Sequence, residues 1–118
     1  MNHLVSALDS QNHRNEESWG SMTWIANQVL SGSSVTVGLF VLRPGFSDSL
    51  HSHPNADEVI YVSKGNVCMK MNGSEVFLQR GDALTIPLKT AHRVKNHGNE
   101  EAEMTLSYSS GIRKFTVE

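Results

Sequence analysis

Between Ser33 and Tyr108, Gly, Pro and Asn turn residues cut the chain into short β-branched and aromatic segments, a punctuation that favours strands throughout. Residues 33–42 (SSVTVGLFVL) have the composition of a buried strand. Arg43-Pro44-Gly45 then turns the chain, because Pro presets φ and Gly accepts φ > 0. Further strands are predicted at 50–53, 58–63, 67–71, 75–78, 83–86, 92–95 and 103–108. Asn72-Gly73 is a strong hairpin signal and joins 67–71 to 75–78. Residues 22–30 (MTWIANQVL) read as one more strand, ahead of the series, although the pattern alone also admits a helix. No segment offers the helix of a βαβ crossover. The expected fold is all-β, a sandwich or barrel. Dinucleotide-binding glycines, a phosphate loop, a nucleophile elbow and a helix-turn-helix are all missing from the sequence.

At 118 residues one core is expected. We read residues 1–18 as a polar arm with a short helical turn near Leu4 to Leu8, and 19–118 as the single domain. The apolar fraction of 38% is modest for so small a core, so a metal or a partner subunit would help it. A net charge of −2 with scattered basic residues argues against nucleic acid and against an anionic membrane surface. The lone Cys68 excludes a disulfide framework and fits a reducing compartment. No secretory leader or membrane-length apolar run is visible, so a cytoplasmic protein is expected.

Three of the histidines sit where strand geometry can use them. Side chains alternate along a strand, so His51 and His53 share a face, about 6.6 Å apart. Glu58 begins the next strand after His53-Pro54-Asn55-Ala56-Asp57, and an antiparallel return would set it beside them. His92 heads a later strand and needs the tertiary fold to join. A His-x-His pair alone is more often a polar surface than a ligand pair; the weight lies in the spacing. Gly45 is followed by five residues, His51-Ser52-His53, four residues, Glu58, six residues and Gly65. Fifteen residues later come Gly81, five residues, Pro87, four residues, His92, three residues and Asn96.

These two segments, GFSDSLHSHPNADEVIYVSKG and GDALTIPLKTAHRVKN, resemble the first and second motifs of the cupin superfamily, and the resemblance extends over about residues 36–108. It implies a double-stranded β-helix (jelly-roll) barrel with His51, His53, Glu58 and His92 as ligands of one divalent transition metal. Three imidazoles and a carboxylate suit Fe, Mn, Ni, Co, Cu or Zn. The lack of thiolate ligands argues against a structural zinc site, and four ligands on a six-coordinate metal leave open positions. One residue departs from the pattern. Lys89 stands where the second motif usually carries Gly, and because φ > 0 is costly for Lys a differently shaped turn is expected at the pocket rim.

The resemblance implies a metalloenzyme acting on a small molecule: a dioxygenase, or a lyase, decarboxylase or isomerase on a small acid or sugar derivative. The competing reading is a non-catalytic sensor that binds such a ligand. Strand parity from Glu58 turns Ile60 inward, and the same argument adds Met69, Met71 and Val94 to the pocket lining. Phe40, Thr36 and Tyr108 are further lining candidates, and Tyr108 is the one tyrosine whose parity would let it assist chemistry. Ordinary core filling competes for the methionines. No other inward acid, base or nucleophile can be named. Chemistry is therefore expected to rest on the metal. Trp19 and Trp24, ahead of the motifs, suggest N-terminal strands shared between subunits of a homodimer, or covering the chain's own barrel.

Overall fold

The computed structural model describes residues 3–118, so Met1 and Asn2 of the polar arm lie outside the described residues. A short helix α1 (Ala7–Ser10) and a 3₁₀ turn (Gln11–His13) lead into β1 (Arg14–Glu17) and β2 (Gly20–Ala26). After α2 (Gln28–Ser31) come β3 (Thr36–Leu42), β4 (His51–Ser52), β5 (Glu58–Lys64) and β6 (Asn66–Met71). The remaining strands are β7 (Ser74–Gln79), β8 (Ala83–Ile86), β9 (His92–Asn96), β10 (Ala102–Tyr108) and β11 (Thr116–Val117). They form a six-stranded sheet, β1-β2-β3-β10-β5-β8, and a five-stranded sheet, β11-β4-β9-β6-β7. Both sheets are antiparallel, and together they make a jelly roll.

The period-two patterns decide which faces meet. In β5, Glu58, Ile60 and Val62 are buried while Val59 and Tyr61 are exposed. On β3 and β10 the buried rows are Phe40–Leu42 and Met104–Leu106–Tyr108, taken at alternate positions. Val67, Met69 and Val94 close the core from the five-stranded sheet. Apolar side chains on the facing surfaces are thereby removed from water, the main drive to fold. Asn72 (φ 53) and Gly73 (φ 74) both adopt positive φ, the type I′ conformation that sets the β6–β7 register from Met71↔Ser74.

Three local expectations change. Residues 14–17, read as part of the arm, are β1, paired from Arg14↔Thr23 to Glu17↔Gly20, so the six-stranded sheet begins at Arg14. Their polarity marks an exposed edge strand. The strand predicted over 22–30 stops at Ala26, because the Asn27 side chain accepts from the Leu30 N–H at 2.8 Å and caps α2. Third, Lys89 keeps the left-handed conformation, at φ 64. Its N–H donates to the His53 carbonyl at 2.9 Å, and the Thr90 N–H donates to the Pro87 carbonyl at 3.3 Å. The surrounding hydrogen bonds thus impose a shape that Lys disfavours by about 1–2 kcal/mol. Lys89→Gly is expected to raise stability by up to about 1 kcal/mol once glycine's larger unfolded-state entropy is offset, read as a higher denaturant midpoint at unchanged slope. Among the described residues no helix is long and apolar enough to cross a membrane.

Candidate metal centre

The site forms where one end of each sheet meets the other. His51 of β4 pairs with His92 of β9, and His53 follows β4 directly. Across the barrel Glu58 opens β5, flanked by Tyr108 of β10 and Ile86 of β8. One potential ligand atom from each of His51, His53, Glu58 and His92 lies within 4.8 Å of all the others, and all four residues are buried.

Each imidazole is oriented by the backbone. The Nδ1 atoms of His51, His53 and His92 lie 2.7, 2.8 and 2.8 Å from the carbonyls of Ser49, Lys114 and Thr90. A carbonyl can only accept, so Nδ1 carries the proton and Nε2 presents a lone pair. Nε2 of His53 and of His92 stand 3.3 and 3.1 Å from Glu58 Oε1. None of these three atoms has a hydrogen-bond partner. Buried acceptors facing one another are unfavourable until a cation lies between them. Ligands about 2.1 Å from one ion at right angles stand about 3.0 Å apart, so the spacing fits a first-row divalent metal. Tyr108 donates its hydroxyl to Glu58 Oε2 at 3.1 Å, leaving Oε1 to the histidines. Burial, reinforced by the Glu58 charge, raises the Tyr108 pKa, so the hydroxyl stays a donor and orients the carboxylate rather than acting as a base.

Burial would raise the Glu58 pKa, but the neighbouring imidazoles of His53 and His92 prevail and hold it at about 2. Burial lowers His51 to about 4, against the pull of the Ser49 carbonyl. For His92 burial pushes down, yet Glu58 and the Thr90 carbonyl outweigh it and the pKa is raised. Below that raised value His92 carries a second proton, at Nε2, which a metal would have to displace. Affinity is expected to rise about tenfold per pH unit until His92 loses its proton, and this limb should extend above pH 6.5, the ordinary imidazole value. Competition titrations with a chromophoric chelator from pH 5.5 to 8 would measure the slope; a flat profile would remove His92 from the ligand set.

A cavity of about 490 Å³ opens over these residues. Of the pocket residues read from the sequence, Phe40, Ile60, Val94 and Tyr108 line it; Met69 and Met71 do not. Strand β6 lies one place beyond β9 in its sheet, so Met69 is sealed in the core and Met71 packs against it. Thr36 turns away and donates to the Ser110 carbonyl at 2.7 Å. Trp19 and Trp24 pack on the chain's own barrel and face the cavity.

The expectation of no further inward acid or base is overturned. Asp48 lines the cavity, its Oδ1 accepting from the Val94 N–H at 2.8 Å and its Oδ2 3.8 Å from His51 Nδ1. Burial raises its carboxyl to about 6, against the hydrogen bond from Val94. Arg113 and Phe115 also line the cavity, and Phe115 stacks on His51 with centroids 4.6 Å apart. Asp48 lies three residues before His51 in an aperiodic loop, and the tail residues had no sequence signal.

The family described as "Cupin domain" matches residues 38–108. Polyketide synthase CurC of Streptomyces cyaneus is 33% identical over 96 residues, covering 80% of this chain and 62% of that protein. Tetracenomycin polyketide synthase protein TcmJ of Streptomyces glaucescens is 34% identical over 80 residues, covering 68% and 54%. This chain thus spans less than two thirds of either relative. Among solved structures, one addressing the Mn(II) centres of Bacillus subtilis oxalate decarboxylase superposes with TM-score 0.82 at 22% identity, over 91% of this chain and 30% of that one. The Lactobacillus farciminis oxalate decarboxylase formate complex gives 0.80 at 22%, over 88% and 32%. At that identity the likeness is one of fold.

Proposed function

This chain belongs to the cupin domain family, and we propose that it is a metal-dependent enzyme acting on a small organic molecule, with His51, His53, Glu58 and His92 holding one divalent transition ion. The observation that carries this reading is the convergence of buried, unpartnered lone pairs beneath a cavity of ligand size. When bound, the ion supplies Lewis acidity toward a substrate oxygen. Asp48, on the cavity wall beside the ligand set, is placed to take or return a proton at Oδ2. Tyr108 holds the Glu58 carboxylate in place, and Phe40, Ile60, Val94 and Leu106 give the cavity apolar walls.

Asp48 favours non-oxidative proton-transfer chemistry, of the lyase, decarboxylase or isomerase kind, over a dioxygenase. The relatives named as polyketide synthase proteins support a polyketide-derived substrate. The test loads the protein with Fe(II), Mn(II) or Zn(II), measures metal content, and follows a panel of small catechols, diketones and acids with an oxygen electrode and product analysis. About one metal per chain and turnover without dioxygen uptake is the expected result. Uptake would assign a dioxygenase instead, and binding without turnover a sensor. Metal content that stays near zero after reconstitution would overturn the proposal.

The reading extends to a cytoplasmic homodimer, supported by the single Cys68 and by Leu39, Val59 and Tyr61 exposed on the outer face of the six-stranded sheet. A monomeric mass by light scattering would remove the dimer.

A further inference from the structure

We propose that Arg113 is the anion receptor of the cavity and that the molecule it takes is a flat aromatic acid, whose ring lies among Trp19, Trp24, Phe40 and Phe115. The proposal rests on the cavity being the substrate site, and it deepens that reading by naming the class of substrate.

Arg113 is half-buried on the wall of the cavity. Its guanidinium carbon lies 4.7 Å from the Trp24 ring centroid, 5.4 Å from that of Tyr108 and 5.5 Å from that of Phe115. Three rings therefore hold a cation at fixed orientation by their negative faces. Among the described residues it makes no ion pair with an acid. The guanidinium also faces the Tyr108 hydroxyl, and its remaining donors are left for a ligand; a carboxylate accepts two of them as parallel hydrogen bonds.

The walls select the remainder of the ligand. Trp19 meets Phe40 edge-on with centroids 5.4 Å apart, and both rings line the cavity. Phe115 and Trp24 line the cavity next to Arg113. Trp24 can lie there because its strand partner is Gly38, where a Cβ would come within 2.8 Å of the indole. A cavity of about 490 Å³ falls in the range that encloses drug-sized molecules and is far larger than a two-carbon acid requires. Aromatic walls favour stacked or edge-on rings over aliphatic chains.

The experiment compares 2-naphthoate with its neutral counterpart 2-naphthamide by equilibrium dialysis against EDTA-treated protein, so that coordination to a metal cannot contribute. Wild-type protein is expected to bind the acid roughly tenfold or more tightly than the amide, the scale of a charge-assisted hydrogen-bond pair. Arg113→Met should abolish that preference and leave the amide unchanged, while Arg113→Lys should retain part of it. Circular dichroism checks folding, and Arg113→Gln carries the same comparison if the Met variant misfolds. No preference in wild type, or a preference that survives loss of the guanidinium, would overturn the assignment, as would failure to bind either probe. Metal content of Arg113→Met should equal that of wild type. A protein that takes no metal but still prefers the acid would defeat the metalloenzyme reading and leave this one standing.

Discussion

Adding a divalent ion at about one hundred times its Kd is expected to stabilise the folded protein by ~2.7 kcal/mol. In a domain of this size that moves Tm by roughly 10 °C, and Glu58→Gln should erase the shift. The substitution keeps the shape of the side chain and its contact with the Tyr108 hydroxyl, which donates to Oε2 at 3.1 Å. It removes the one negative charge among the ligands. An amide N–H can also donate to Nε2 of His53 or His92, which are otherwise buried without a partner. Even so, metal-free Glu58→Gln should melt at or below the metal-free wild type at neutral pH, because the depressed Glu58 pKa means that the folded state favours the carboxylate over a neutral group. Paired calorimetric scans with and without the ion test both statements. Equal metal-induced shifts in wild type and variant would place the ion elsewhere.

Asn96→Asp is expected to cost about 3–5 kcal/mol, although it exchanges one atom of the side chain. Asn96 is fully buried. Its amide nitrogen donates to the carbonyls of Leu42 and Glu100, both at 2.8 Å, and its oxygen accepts from the Gly98 N–H at 2.9 Å. A carboxylate there would face two carbonyl oxygens with no proton to give. The neutral acid keeps one O–H donor, so the folded state raises the new carboxyl's pKa. Its penalty should shrink as pH falls and be complete once pH exceeds that raised value. Urea unfolding at pH 5 and pH 8 would measure this, and a cost under about 1 kcal/mol at pH 8 would refute the account. Leu42 ends β3 and Asn96 ends β9, so this side chain joins the two sheets.

Much of the architecture was legible because its causes are local. Alternation across β5 is written in Glu58-Val59-Ile60-Tyr61-Val62, and the structure buries the first, third and fifth. Asn72-Gly73 specifies a turn with positive φ at both positions, and no distant contact is needed to read it. The resemblance carried the grouping of His51, His53, Glu58 and His92, whose joining depends on register between strands far apart in sequence.

Features that arise only where distant segments meet were not legible. The edge strand β1 looks like a polar arm because both its faces are exposed. The backbone conformation of Lys89 follows from hydrogen bonds with His53 and within the Pro87–Thr90 turn, which override its own preference. Asp48 becomes a half-buried acid on the cavity wall only when its loop is drawn onto β9 through Val94.

The tail is the clearest case. Its carbonyl at Lys114 fixes the His53 tautomer, Phe115 covers His51, and Arg113 enters the aromatic wall, yet residues 111–115 carry no periodicity or motif. Sequence alone thus determined the alternation of inward and outward faces, the hairpin turn and, through the family resemblance of its two motifs, the residues suited to a metal. The tertiary structure decided which protons those histidines carry and which acid and cation face the cavity. Those properties belong to burial and to contacts between remote backbone segments, and no local pattern encodes either.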